Sequence, residues 1–290
     1  ISSNATRRVA YGTVIRMSSM FSTAVILNYC FHFDGVVIGA SALSSGVIME
    51  AITSRFMAHK FIKNVKQKKS VNEQNNLSYI EITKFYYPLV LTSLISLGIH
   101  PVVTFFIGQS NRALESLAVL PVLNSLVFFF RSFGLSFQEV GIALMGRQSA
   151  YYKLRNFAIG LSIAVVLGLG IISFTPLSMI WFQHVAGLSL QLAGFSILPL
   201  MLYTLFPATT VWINFQRSLL VYSRNTKPIT YATIIEVLGI ALTLIITIRF
   251  LSFIGVIAAV SAYTFGRICA NIYLTQPFKT EKKKLLAGEK

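Results

Sequence analysis

The chain has 290 residues, of which 54% are hydrophobic and only 12% charged, with a formal net charge of +16. That charged share is about half the usual one for a soluble domain, and a water-soluble fold of this size could not hide so much apolar surface. A soluble globule is excluded, and so is nucleic acid as the reason for the charge, because the basic residues cluster between apolar runs, where they orient membrane helices.

A membrane helix needs roughly 20 mostly apolar residues. Eight such segments follow one another: 9–33, 35–62, 82–107, 113–144, 156–181, 188–215, 228–251 and 252–274. The expected fold is therefore all-α and integral to the membrane. Arg7 and Arg8 precede a first span too long, and too polar at its far end, for a cleavable signal peptide. Residues 64–80 (NVKQKKSVNEQNNLSYI) form the one long polar stretch. They read as a cytoplasmic linker between lobes or as a plain surface loop. The expected organisation is a two-helix unit over 1–62, a linker over 63–81, a six-helix lobe over 82–278 and a basic tail over 279–290.

Charge gives these spans a direction. If the chain starts inside, 18 of its 25 Lys and Arg fall on the cytoplasmic side. They are Arg7 and Arg8; the linker lysines at 60, 63, 66, 68 and 69; Arg147, Lys153 and Arg155; Arg217, Arg224 and Lys227; and the tail lysines at 279, 282, 283, 284 and 290. The connections on the other side are short and hold Arg112, with Arg249 just inside. The positive-inside rule then sets both termini of a multi-pass protein in the cytoplasm, and the expected location is the plasma (inner) membrane.

The chain also repeats itself at a shift of 220 residues. Without gaps, 12 of the 42 positions from Val9 to Glu50 are identical, among them Tyr11/Tyr231, Thr13/Thr233, Gly35/Gly255, Ser41/Ser261 and Gly46/Gly266. The first two helices are thus repeat-mates of the last two. Transporters are often built from similar halves around a central site. This leads to the expectation of a twelve-helix protein whose first four helices precede Ile1 and would be partners of this chain.

Three segments carry a family resemblance: KFYYPLVLTSLISLGIHPVVTFFIG (84–108), ALESLAVLPVLNSLVFFFRSFGLSFQEVGIALMGR (113–147) and FPATTVWINFQRSLLVYSRNTKPITYATIIEV (206–237). With the six-plus-six arrangement and basic linker, they resemble the MATE-like multidrug/oligosaccharidyl-lipid/polysaccharide (MOP) flippase superfamily. The resemblance aligns 84–108 with the family's seventh helix, 113–147 with its cavity-lining eighth, and 206–237 with its tenth-to-eleventh junction. It implies alternating-access transport of drugs, lipid-linked sugars or, in the ankylosis-type branch, small anions.

Six ionisable residues lie well inside apolar spans: Arg16, Glu50, Arg131, Glu139, Glu236 and Arg267. A charge at the bilayer centre costs about 2.5–3.5 kcal/mol on insertion scales, so each needs a partner or water. Arg16 with Glu50, and Glu236 with Arg267, stand at matching depth in antiparallel hairpins. They read as structural ion pairs or as an ion relay. Arg131 and Glu139 lie eight apart on one helix, near one face. Either they pair with each other or a neighbour, or Arg131 binds a carboxylate or phosphate and Glu139 a coupling H⁺ or Na⁺. Pro88, Pro101, Pro121, Pro176, Pro199 and Pro207 interrupt spans and can bend them.

Cys30 and Cys269 set no disulfide framework. No phosphate-binding GxxxxGK[ST] loop, metal-spaced His/Cys cluster or defensible acid/base site occurs, so neither enzyme activity nor a cofactor is expected. Two functions compete. One is an ion-gradient-driven transporter or flippase exporting a drug-like, anionic or lipid-linked solute. The other is a non-transporting membrane scaffold or lipid-linked-sugar-binding subunit.

Overall fold

The computed structural model describes residues 6–31, 34–69, 79–145 and 148–287. Among them, eight helices are long and apolar enough to cross a membrane. Two compact units divide the chain, 1–78 and 79–290.

The first unit is a helical hairpin. Helix α1 (Thr6–Ile26), extended by a π-helical turn over Leu27–Phe31, packs against α2 (Gly35–Lys69). Arg16 Nη1 lies 3.5 Å from Glu50 Oε2 across the hairpin, and both side chains are substantially exposed. Helix α2 corrects the expected linker, because residues 63–69 continue it. The run from Lys60 to Lys69 contains no Gly or Pro and is rich in Lys, which favours helix. Tyr79 already belongs to the next helix, and 70–78 lie outside the described residues.

The second unit is an antiparallel helical bundle: α3 (Tyr79–Ile107), α4 (Ala113–Leu144), α5 (Gln148–Phe174), the short α6 (Leu177–Ile180) with a π-helical turn, α7 (Leu190–Tyr203), α8 (Phe206–Tyr222), α9 (Lys227–Ile245) and α10 (Gly255–Ala287). One end carries Arg155, Arg224, Lys227 and Lys282 and is called here the basic end. The opposite end is tied by Asn111, whose Nδ2 donates to Ser252 O at 2.9 Å and whose carbonyl accepts from Gly255 N–H at 3.3 Å.

Helix α8 is the axis of this bundle, packed against α4, α5 and α10 and buried nearly all round. Its buried side chains include the polar Thr210, Asn214, Gln216 and Ser218 beside the apolar ones. Close approach makes this possible. A Cβ at Gly134 would stand 3.0 Å from the Val211 backbone nitrogen, and one at Gly266 would stand 2.6 Å from the Glu236 carbonyl oxygen. Small residues at such crossings let membrane helices touch backbone to backbone. The outer surface is apolar instead of polar: Ile159, Ile163, Leu167 and Ile171 form an exposed i, i+4 stripe on α5. In water such a stripe would be an aggregation surface, whereas hydrocarbon is its natural solvent.

Two further expectations need correction. The span expected at 188–215 reaches Tyr222 and is broken in the middle, because α7 ends at Tyr203 and α8 begins at Phe206. Pro207 cannot donate the backbone bond that would continue the ladder, and Thr204 N–H closes a tighter turn onto Met201 O at 3.3 Å. The basic tail expected at 279–290 is helical through Ala287 as the end of α10. Phe278 packs with Tyr151 and Phe215, and Glu281 accepts hydrogen bonds from Asn225 Nδ2 and Lys284 Nζ, each at 3.1 Å.

Candidate functional site

The break between α7 and α8 falls where charge meets aromatic side chains. Phe206 stands at the first position of α8. The Arg131 guanidinium carbon, from mid-α4, lies 4.8 Å from its ring centroid, and that of Arg267, from α10, lies 5.2 Å away. One ring therefore holds two cations, and their guanidinium carbons stand no more than 10 Å apart, since both distances end at the same centroid. Tyr203 packs on Phe206 at 4.7 Å and on Tyr263 at 6.3 Å, nearly parallel to the latter. Each such contact orients the quadrupole of a ring toward a neighbour.

The two arginines differ in how their charge is met. Arg267 donates from Nε to Glu236 Oε1 at 2.8 Å, with Nη2 also at 2.8 Å from the same oxygen. The side chains are 11% and 7% exposed, so this is a buried pair whose attraction must offset two desolvation penalties. Arg131 is half-buried, its Nε is buried without a hydrogen bond, and no ion pair or hydrogen bond joins it to another described residue. Its electrostatic neighbours are Arg267, Tyr203, Glu236 and Tyr263.

Glu139 is not brought to this cluster. It is exposed on α4, and no hydrogen bond or ion pair joins it to Arg131 or to another described residue. The eight-residue spacing sets the two about two turns apart along one helix, too far for a direct contact.

Several participants escaped the sequence reading. Arg217 was expected in a cytoplasmic loop but lies inside α8, where its Nη2 donates to Thr233 Oγ1 at 3.3 Å and its Nε is buried without a partner. The α9 hydroxyl one turn before Glu236 draws it inward, within electrostatic range of Glu236 and Arg267. Tyr203, Phe206 and Tyr263 look like ordinary core aromatics in their apolar runs; the Phe206-Pro207 dipeptide was the available signal for the break. Asn124 accepts from the Tyr203 hydroxyl at 3.3 Å. Toward the basic end, the α8–α10 seam continues as a polar line. Asn271 Nδ2 donates to Thr209 O at 3.2 Å and Gln216 Nε2 to Thr275 Oγ1 at 3.2 Å, leaving Gln216 Oε1 and Asn271 Oδ1 buried without donors.

No family model matches the chain, and no curated protein is similar to it in sequence. Among solved structures it is similar to the outward-facing conformation of a multidrug resistance MATE family transporter of the MOP superfamily, with a TM-score of 0.71 at 16% sequence identity. The similarity covers 95% of this chain and 62% of that one, so the chain spans less than two thirds of the length of the structure it matches. Fold at this level of identity does not carry residue roles across. The chain is a multi-pass, all-helical membrane protein with the fold of a MATE-type transporter.

Proposed function

We propose that the chain acts as a membrane transporter working by alternating access between two lobes, driven by an ion gradient, with an anionic or lipid-linked solute favoured over a cationic drug. The observation that carries this reading is Arg131: a mid-membrane guanidinium with no counter-charge of its own, in a bundle with a transporter's fold. An uncompensated charge at that depth is costly and marks substrate or ion pathways far more often than packing. Arg131 would meet the solute, and the exposed Glu139 would take up a coupling H⁺ or Na⁺ nearer the basic end. The two-helix unit and the six-helix lobe are read as parts of the two moving bodies. The lysine-rich end would face the cytoplasm, in the plasma (inner) membrane.

The test is a transport assay in proteoliposomes with candidate solutes and an imposed proton or sodium gradient. Arg131→Ala should abolish gradient-driven flux while the protein still inserts and elutes as a single species. Undiminished flux in that variant overturns the reading.

A further inference from the structure

The cluster at the α7–α8 break is rich in donors and poor in acceptors. All the N–H groups of Arg131 lack a partner among the described residues. The Tyr263 hydroxyl makes no hydrogen bond there, and Asn124, having accepted from Tyr203 through Oδ1, keeps its Nδ2 unbonded. The one carboxylate, Glu236, gives Oε1 to Arg267 through both contacts, which leaves its Oε2 as a single acceptor against this set of donors. Guanidinium and side-chain amide N–H groups can only donate, and a hydroxyl can do so. What completes such a set is a group made wholly of acceptors.

Charge gives the same answer independently. Arg131, Arg217 and Arg267 stand against Glu236 alone within one electrostatic neighbourhood, a formal surplus of two positive charges inside a membrane bundle. The unbonded acceptors Gln216 Oε1 and Asn271 Oδ1 lie farther along the α8–α10 seam, toward the basic end.

We propose that Arg131, with Tyr263 in its electrostatic neighbourhood and Arg267, Arg217 and Glu236 setting the charge, forms a site within the six-helix unit for a doubly charged tetrahedral oxyanion, the phosphate group of a free or lipid-borne monoester. Such a site deepens the transport reading, on which its use rests, by fixing the charge class of the solute. Arg131 is the contact residue, because its planar fork matches two phosphate oxygens. Arg267 is a positioning residue, held by Glu236 and sharing the Phe206 ring.

Calorimetric titration of the detergent-purified full chain tests this. The probes are inorganic phosphate, sulfate and nitrate at constant ionic strength, and dodecyl phosphate as a lipid-like monoester. Phosphate or sulfate should bind at least tenfold more tightly than nitrate, and Arg131→Gln should lose at least tenfold of that affinity. Arg112→Gln, on the exposed turn before α4, should leave it unchanged. If only dodecyl phosphate binds, and Arg131→Gln removes that binding, the phosphate belongs to a lipid. Equal binding of dodecyl phosphate by both variants is mere partitioning and overturns the site, as does failure of every anion to bind or equal affinity for nitrate. Anion binding without flux in proteoliposomes sinks the transport reading and leaves the site standing. Flux of another solute without anion binding does the reverse.

Discussion

Arg267 holds Glu236 through two nitrogens, Nε and Nη2, each 2.8 Å from the same carboxylate oxygen. The contact is set by the helices beneath it. Gly239 and Gly266 face each other so closely that a Cβ on Gly239 would stand 3.1 Å from Gly266 Cα, and that crossing lies within a turn of both charged residues.

Removing one partner of this pair should cost more than removing both, because a lone buried charge remains. Glu236→Gln is expected to destabilise the protein by about 3–5 kcal/mol, and the double variant Glu236→Gln/Arg267→Met by less. Thermal unfolding of the detergent-solubilised proteins compares them. A double variant less stable than the single one would show that the pair's geometry, and not its charge balance, is what matters.

The close crossing makes a second prediction. A methyl group at Gly266 must displace the Glu236 carbonyl, which is backbone and cannot rotate away. Gly266→Ala should cost about 1–3 kcal/mol, as overpacking does. Gly160→Ala on α5, where a Cβ meets nothing within 4 Å, should be neutral or slightly stabilising. Melting temperatures of the two variants side by side decide it; equal shifts would mean that the α9–α10 seam yields easily.

Phe206 should couple to the cations on its face. A desolvated cation–π contact contributes about 2 kcal/mol. Phe206→Leu is therefore expected to destabilise the native protein more than it destabilises an Arg131→Met background. A double-mutant cycle measured by thermal unfolding yields the coupling energy. A value indistinguishable from zero would reduce the ring to simple packing.

Orientation is open to direct labelling. In a background with Cys30 and Cys269 replaced by Ala, Gln109→Cys should react with a membrane-impermeant maleimide on intact cells. Lys283→Cys should react only after permeabilisation. The reversed pattern would invert the assignment of the basic end to the cytoplasm.

The legible parts of this molecule are those that depend on period and depth. Apolar runs longer than a bilayer is thick announced the spans, and equal distance from a shared turn was enough to pair Glu236 with Arg267. Properties of neighbouring helices were not legible. Arg217 looked like a loop residue because a positive charge near the end of an apolar run ordinarily marks the boundary. Groups on a different helix, the Thr233 hydroxyl that accepts from it and Glu236 within electrostatic range, favour its place inside. The lysines of 63–69 read as linker and those of 279–284 as a basic tail, yet Lys is a good helix former, and Phe278 and Leu285 pack the end of α10 into the cluster around Tyr151 and Phe215. Tyr203, Phe206 and Tyr263 gave no signal of their own, since an aromatic residue beside a cation is written no differently from one beside leucine.

The surplus of arginine over glutamate around Phe206 has an electrical consequence. An elementary charge carried through a 100 mV membrane potential changes in energy by about 2.3 kcal/mol. With a dianion seated among Arg131, Arg217, Arg267 and Glu236, the group is formally neutral, and the voltage has little grip on it. Without one it is a dication, and the potential acts on it in full. For this group of residues, voltage dependence would then reside in the step made without the dianion, while a coupling H⁺ or Na⁺ adds its own charge to whichever step carries it.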